Sequence, residues 1–216
     1  MNAIAINGSP RKNKNTATLL SKALEGARSR GGEGEIIHLY DLNYKGCISC
    51  FACKRKNNGH PGKCAMKDDL TPVLEATQKA DVLLLGSPIY LSHVTGEMAS
   101  FLERLIFPNI VYAPGYPSAF KGKLASGFIY TMNMTKERLK DTSYEHMFMN
   151  YERFQKAFNG TAEYMVSLDT FQFDDYSLYD ATLFDPNHKA QVKAEQFPLD
   201  CQASFEMGAR LVENWK

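Results

Sequence analysis

Four of the five cysteines fall in one short pattern, Cys47-x2-Cys50-x2-Cys53-x10-Cys64. Two successive CxxC steps place three thiols within a turn or so of chain, and Cys64 can return to them through a loop broken by Gly59, Pro61 and Gly62. Four thiolates suit a 4Fe-4S cluster or zinc, while a redox-active or simply reduced set of thiols uses the same residues without a metal. Lys54, Arg55, Lys56, His60 and Lys63 surround them. Those charges favour the thiolate forms, would partly neutralise an anionic cluster and would steer an anionic partner. Cys201 stands alone and is expected to be a packed thiol.

A second constellation is the segment Gly8-Ser9-Pro10-Arg11-Lys12-Asn13-Lys14-Asn15-Thr16. It is rich in donors and runs into the start of a helix, where unused backbone N–H groups and the positive end of the helix dipole suit a phosphate. Ser9, Asn15 and Thr16 can donate to such a group and Arg11 can fork onto its oxygens. A Walker loop needs glycine where Asn13 stands and serine or threonine directly after Lys14, so that class is excluded, and no GxGxxG occurs. An ordinary basic loop before a capped helix is the plainer alternative.

The elements that must position these residues follow from hydrophobic spacing. Ala3 to Ile6 is a short apolar strand, and from Asn15, as N-cap, Ala17, Leu20, Leu24 and Ala27 share a helical stripe that stops at Gly31-Gly32. A second strand is predicted at Glu35 to Tyr40. After the cysteine segment comes a helix capped by Asp68, with Leu70, Val73, Leu74 and Thr77 inward and Pro72 tolerated in its first turn. The third strand is Asp81 to Gly86, continuously apolar from Val82 to Leu85 as suits a strand covered on both faces. Ser87-Pro88-Ile89-Tyr90 is expected to leave the strand as a loop. A strongly amphipathic helix begins near Thr95, with Met98, Phe101, Leu102, Leu105 and Ile106 on one side. Leu124 to Thr131 is strand four, a long polar helix is expected over 135–158, and Ala162 to Leu168 is strand five. A C-terminal helix presents Phe205, Gly208, Val212 and Trp215 on one face.

Five strands alternating with helices, none joined by a hairpin-length turn, require crossovers. The fold class is therefore α/β: three layers around a five-stranded parallel sheet. The chain is expected to form one domain over 1–216, with a cysteine-bearing insertion at about 43–67 and a C-terminal extension at about 169–216. Ligands of such sheets bind beyond the carboxyl ends of the strands, where strand order reverses.

Composition limits the partners. The 216 residues carry 25 Lys plus Arg against 24 Asp plus Glu, a net charge of +1, which disfavours a broad nucleic-acid face or a polybasic membrane surface. No apolar run approaches the roughly 20 residues of a membrane span, and the N-terminal segment shows no basic leader. A cytoplasmic location is expected.

GSPRKNKNTATLL after strand one, together with GSPIYLSHVTGEMASFLERL after strand three, resembles the flavodoxin-like NAD(P)H-dependent FMN reductases. The resemblance covers about the first half of the chain. It implies strand order 2-1-3-4-5 and noncovalent FMN, its phosphate in the 9–16 loop at Ser9, Arg11, Asn15 and Thr16, its ring against Pro88, Ile89 and Tyr90, and a third loop at Thr131. The cysteine segment resembles the iron-sulfur flavoproteins, a branch of that group, with a longer last gap. Homodimers or homotetramers are implied as well. Phe171, Phe173, Tyr176, Tyr179 and Phe184, interleaved with aspartates, fit either an interface that wraps a neighbouring subunit near its flavin or local packing over strand five. His93, in the loop beside Tyr90, is expected to be a surface residue.

The activity implied is hydride transfer from NADH or NADPH to FMN, then electron transfer to an acceptor, with or without an intervening cluster. Because the flavin carries that chemistry, no side chain is assigned as a catalytic residue. The alternatives are an electron carrier reduced by ferredoxin, lacking a nicotinamide site, and a zinc-stabilised binding module on the same scaffold.

Overall fold

The computed structural model describes residues 1–56, 61–140 and 142–215. Strands β1 (Asn2–Asn7), β2 (Glu33–His38), β3 (Val82–Tyr90), β5 (Leu124–Thr131) and β6 (Asn159–Ser167) form a parallel sheet in the order β2-β1-β3-β5-β6, with the two-residue β4 (His93–Val94) antiparallel to β3. Counting only the parallel strands, this is the 2-1-3-4-5 order. The chain leaves β1 in one direction to make β2 and in the other to make β3, so the switch point lies between the carboxyl ends of β1 and β3.

Alternation along the strands divides the core into two layers. Ile4, Ile6, Leu83, Leu85, Phe128 and Tyr130 face α2 (Leu70–Thr77), α3 (Gly96–Ile106) and α5 (Tyr144–Gln155). Ala3, Ala5, Val82, Leu84, Ala125 and Ile129 face α1 (Asn15–Ser29) and α6 (Pro186–Trp215). The second face is lined by smaller residues, and its two helices approach each other closely. A Cβ on Gly26 would overlap the Phe205 carbonyl and one on Gly208 the Ala23 carbonyl, while Ser204 Oγ donates to the Leu19 carbonyl at 2.7 Å.

The structure corrects several sequence expectations. β3 does not end at Gly86: Ser87 and Pro88 pair with Tyr130 and Thr131, and a two-residue turn at Leu91-Ser92 joins β3 to β4, so one hairpin does exist. Proline is tolerated there because β1's last partner on β3 is Gly86, which leaves the strand an edge on that side. The polar stretch 135–158 is two helices, α4 (Lys136–Lys140) and α5, rather than one. β2 is shifted to Glu33–His38 and followed by a 3-10 turn at Leu39–Asp41. Asn15 is the first residue of α1, with Lys14 at the cap position. Asp68 lies one residue before the cap position of α2, yet its carboxylate still accepts the Leu70 N–H. Pro186 opens α6 after Asp185, whose Oδ1 accepts the Asn187 N–H at 2.9 Å.

Candidate functional site

At the switch point the loops are tied to one another by buried polar groups. Gly8 N–H donates to the Gly86 carbonyl at 2.8 Å. Thr95 Oγ1 donates to the Gly8 carbonyl at 2.7 Å, accepts the Met98 N–H as the cap of α3, and its own N–H goes to Ser87 Oγ. Thr95 therefore fastens the first loop, the end of β3 and the start of α3 at once. A Cβ on Gly8 would stand 2.9 Å from the Met98 Cβ, so glycine is what lets the loop lie this close to α3. On the other side of the loop, Asn7 Oδ1 accepts the Ser9 N–H and Asn7 Nδ2 meets His38 Nδ1 at 2.9 Å.

Within the 9–16 loop, Ser9 Oγ accepts the Arg11 N–H at 3.2 Å. The first helical bond of α1 runs from the Thr18 N–H to the Lys14 carbonyl at 3.0 Å. The amides of Asn15, Thr16 and Ala17 precede it and have no intrahelical acceptor. Thr16 and Thr131, both buried, meet hydroxyl to hydroxyl at 2.8 Å, joining the first loop to the end of β5. One of the pair donates to the other, and the second hydroxyl hydrogen remains for another acceptor.

The aromatic segment expected either at a subunit interface near the flavin or over strand five lies across this site of its own chain. Asn15 Nδ2 donates to the Phe171 carbonyl, Arg11 Nη1 to the Gln172 carbonyl, and Lys14 pairs with Asp174 at 2.6 Å. This strap is anchored from below by Lys189, 2% exposed, whose ammonium donates to Asn133 Oδ1 and to Asp169; His188 shares the same carboxylate. Burial pushes the Asp169 carboxyl up, but the hydrogen bonds of Lys189 and His188 outweigh it and hold it below the usual carboxylate range. The aromatics of the strap pack on one another: Phe173 stacks on Tyr179 at 4.1 Å, and Phe171 and Phe173 meet Tyr176 edge to face. Leu178, Tyr179 and Leu183 stay exposed.

The β3–β4 hairpin projects above the switch point. Leu91 and Ser92 both adopt positive φ, 48° and 67°, in the tight turn. Pro88 and Ile89 lie within the strand, whereas Tyr90 is half exposed and Leu91 fully so. His93 is exposed, as expected, but not isolated. Its Nε2 stands 3.2 Å from the Tyr151 hydroxyl, a phenol that burial, then the Glu103 charge, pushes up to about 12.

The cysteine insertion sits against α3, away from the strap. Cys47, Cys50, Cys53 and Cys64 all line one cavity of about 20 Å³ with Glu103, Arg104 and Phe107, room for about one water-sized guest. None of the five cysteines forms a disulfide, and among the described residues no three metal-ligating side chains are posed around one point. Donor chemistry fits a four-thiolate site, and final ligand geometry in such sites is commonly taken on binding. Burial pushes the Cys53 thiol up; Lys54 opposes this and the other three cysteines add to it. At Cys53, burial thus reverses the thiolate preference expected from the basic neighbours. Lys54 is instead turned onto the carbonyls of Phe107 and Ile110 and lies over the Phe107 ring at 4.3 Å, pinning the insertion down. His60 lies outside the described residues.

Arg104 is the residue that sequence analysis missed. It is 1% exposed, on a helix whose inward face is otherwise apolar. It donates to the Lys45 carbonyl at 3.0 Å, to Asp68 and to the Met66 carbonyl, clamping both ends of the cysteine insertion, and its charge faces Cys64. Burial pushes the Asp68 carboxyl up, yet the Arg104 bond and charge hold it below the ordinary range. Cys201, by contrast, is a half-buried thiol on α6 packed against the α1 layer.

Residues 1–149, which contain the 9–16 loop, the hairpin and the cysteine insertion, match the family described as NADPH-dependent FMN reductase. The chain belongs to that family. An iron-sulfur flavoprotein of Archaeoglobus fulgidus is 42% identical over 104 residues, 48% of either chain. One of Methanocaldococcus jannaschii is 36% identical over 104 residues, 48% of this chain and 51% of the relative. The chain thus spans about half the length of the curated relatives it matches. Among solved structures, an NAD(P)H:quinone oxidoreductase from Methanothermobacter marburgensis superposes with a TM-score of 0.69 at 14% identity, covering 98% of this chain and 96% of that one. An FMN-dependent NADH-azoreductase from Bacillus anthracis, in complex with FMN, gives 0.63 at 13%, covering 98% and 100%. These likenesses show that this FMN reductase-family chain has the fold that its sequence resemblance implies. Among its described residues, no helix is long and apolar enough to cross a membrane.

Proposed function

We propose that the chain is an FMN-dependent oxidoreductase: NAD(P)H plus a proton and an acceptor yield NAD(P)⁺ and the reduced acceptor. The observation that carries this is the assembly at the switch point, where Thr95 and the Thr16–Thr131 pair bring the donor-rich 9–16 loop, the β3–β4 hairpin and the end of β5 together. Bound FMN would supply hydride acceptance and electron release. The chain's residues bind and orient. The unused amides at the start of α1, Ser9, Thr16 and the guanidinium of Arg11 suit a phosphate monoester, since Arg11 has five N–H donors and the strap takes only one that is described. Tyr90 offers an aromatic surface and the rigid Ser87-Pro88-Ile89 strand end presents backbone polar groups to the ring edge. The strap at 169–176, bonded to Arg11, Lys14 and Asn15, would shield the phosphate end from water. No side-chain acid or base is needed for hydride transfer.

Cys47, Cys50, Cys53 and Cys64 would hold a 4Fe-4S cluster supplying one-electron transfer to or from the flavin. The naming of relatives at 42% and 36% identity and the shared cavity support this. A cluster larger than the cavity requires the exposed 47–51 segment to move outward, while Arg104 keeps the two ends of the insertion in place. The chain would act as a homodimer or homotetramer in the cytoplasm, with exposed Leu178, Tyr179 and Leu183 available for contact; sedimentation of the holoprotein as a monomer would refute the assembly.

Anaerobic stopped-flow mixing with NADH and with NADPH tests the activity. Rapid bleaching of the flavin is expected; flavin that stays oxidised under excess of both, yet is reduced by ferredoxin, would replace the enzyme with an electron carrier. FMN, iron, sulfide and zinc measured per chain after oxygen-free purification test the cluster. About four irons and four sulfides are expected, whereas zinc or neither would overturn it.

A further inference from the structure

Beside the thiol cavity lies a second one, of about 450 Å³, whose size is that of an ordinary small-molecule pocket. Cys53, Cys64 and Ala65 line both cavities and so lie between them. The larger cavity faces α2. Its apolar lining is Ala52, Ala65 and, buried beneath, Leu74, and Gln78, also of the lining, donates to the Gly62 carbonyl at 2.6 Å. Its charged described lining is Arg55, Lys63 and Lys67 against the single carboxylate of Glu75. In a chain whose net charge is only +1, three cations around one cavity are a local excess. A low-dielectric floor with cations at the rim concentrates anions and holds an apolar body beneath them.

We infer that this cavity is the binding site of a small organic anion with an apolar body, and that this is the class of electron acceptor the chain serves. Bound there, the ligand is separated from the thiol cavity by the shared residues Cys53, Cys64 and Ala65. The acceptor takes two electrons and two protons, the equivalents of one nicotinamide hydride and one proton from water. The binding claim stands on the cavity; only its redox meaning rests on the function proposed above.

The test uses anthraquinone-2,6-disulfonate, titrated by equilibrium dialysis into oxidised holoprotein without a nicotinamide. Saturable, salt-sensitive binding is expected. Neutralising two rim cations (Lys63→Gln with Lys67→Gln) should weaken it tenfold or more, whereas Glu75→Gln should tighten it about threefold, a pair of opposite changes that misfolding does not produce. Uncharged 2-methyl-1,4-naphthoquinone should bind all three proteins within twofold of one another. Absence of saturable binding, equal affinity in the three proteins, or equal weakening by a distant control pair (Lys136→Gln with Lys140→Gln) would overturn the inference. Flavin reduction by NAD(P)H without disulfonate binding would overturn this inference alone; disulfonate binding without nicotinamide reduction would overturn the enzyme reading alone.

Discussion

Arg104 shows how one side chain can govern a segment that carries chemistry. Its guanidinium is buried and answered by Asp68 and two backbone carbonyls at the ends of the cysteine insertion. Asp68→Ala leaves that cation buried without its counter-ion, and a loss of about 3 kcal/mol is expected in urea unfolding. The opposite logic applies to Tyr130, whose hydroxyl is buried with no partner among the described residues while its ring stacks on Phe128 and Phe148. Tyr130→Phe removes only the unsatisfied group, so stability should stay level or rise by about 1 kcal/mol; a clear loss in the same unfolding assay would show that the hydroxyl is bonded. Neither residue could be singled out from its spacing. Arg104 falls beside a helical apolar stripe and Tyr130 within an apolar strand, and burial of a polar end depends on what packs over it.

Among the elements, the α1–α6 pair depends on two glycines that allow backbone-to-backbone approach. Gly208→Ala must push α6 off α1, and a cost of about 1–3 kcal/mol follows from overpacking of this kind; an unchanged melting temperature would mean that the helices separate freely. The hairpin and first loop are joined through Thr95. Thr95→Val removes the cap of α3 and the bond to Gly8 together, and FMN affinity should fall about tenfold, with the cap alone worth about 1 kcal/mol. Flavin retention on a desalting column measures it. Much of this level was legible in the residues: β5 spans the expected Leu124 to Thr131, α2 buries the four expected positions, and α3 starts after Thr95. The hairpin was not, because Leu91-Ser92 lacks the Asn-Gly or Asp-Gly signature of a two-residue turn. The break between α4 and α5 was likewise hidden in a uniformly polar stretch.

For the molecule as a whole, irregular segments are fastened to a regular sheet by clasped carboxylates. Asp68 fastens the cysteine insertion and Asp169 the strap, and both have folded pKa values held down by their cationic partners. A depressed carboxylate stabilises the fold above its unfolded value, about 4, and that contribution is lost as pH falls through the lower folded value. Stability should therefore be level down to about pH 4 and decline below it, with the decline reduced in an Asp68→Asn, Asp169→Asn double variant; an identical acid profile in that variant would refute the clasp. The sequence by itself determined the three-layer α/β class, the donor-rich loop after β1 and the grouping of four cysteines, because hydrophobic period and residue spacing are local properties written along the chain. Tertiary structure alone decided that the strap at 169–176 lies over a loop 160 residues earlier, that Arg104 clamps the cysteine segment, and that Cys53, Cys64 and Ala65 lie between two cavities. Such contacts join residues far apart in sequence, and their partners are chosen by which surfaces the folded sheet brings face to face.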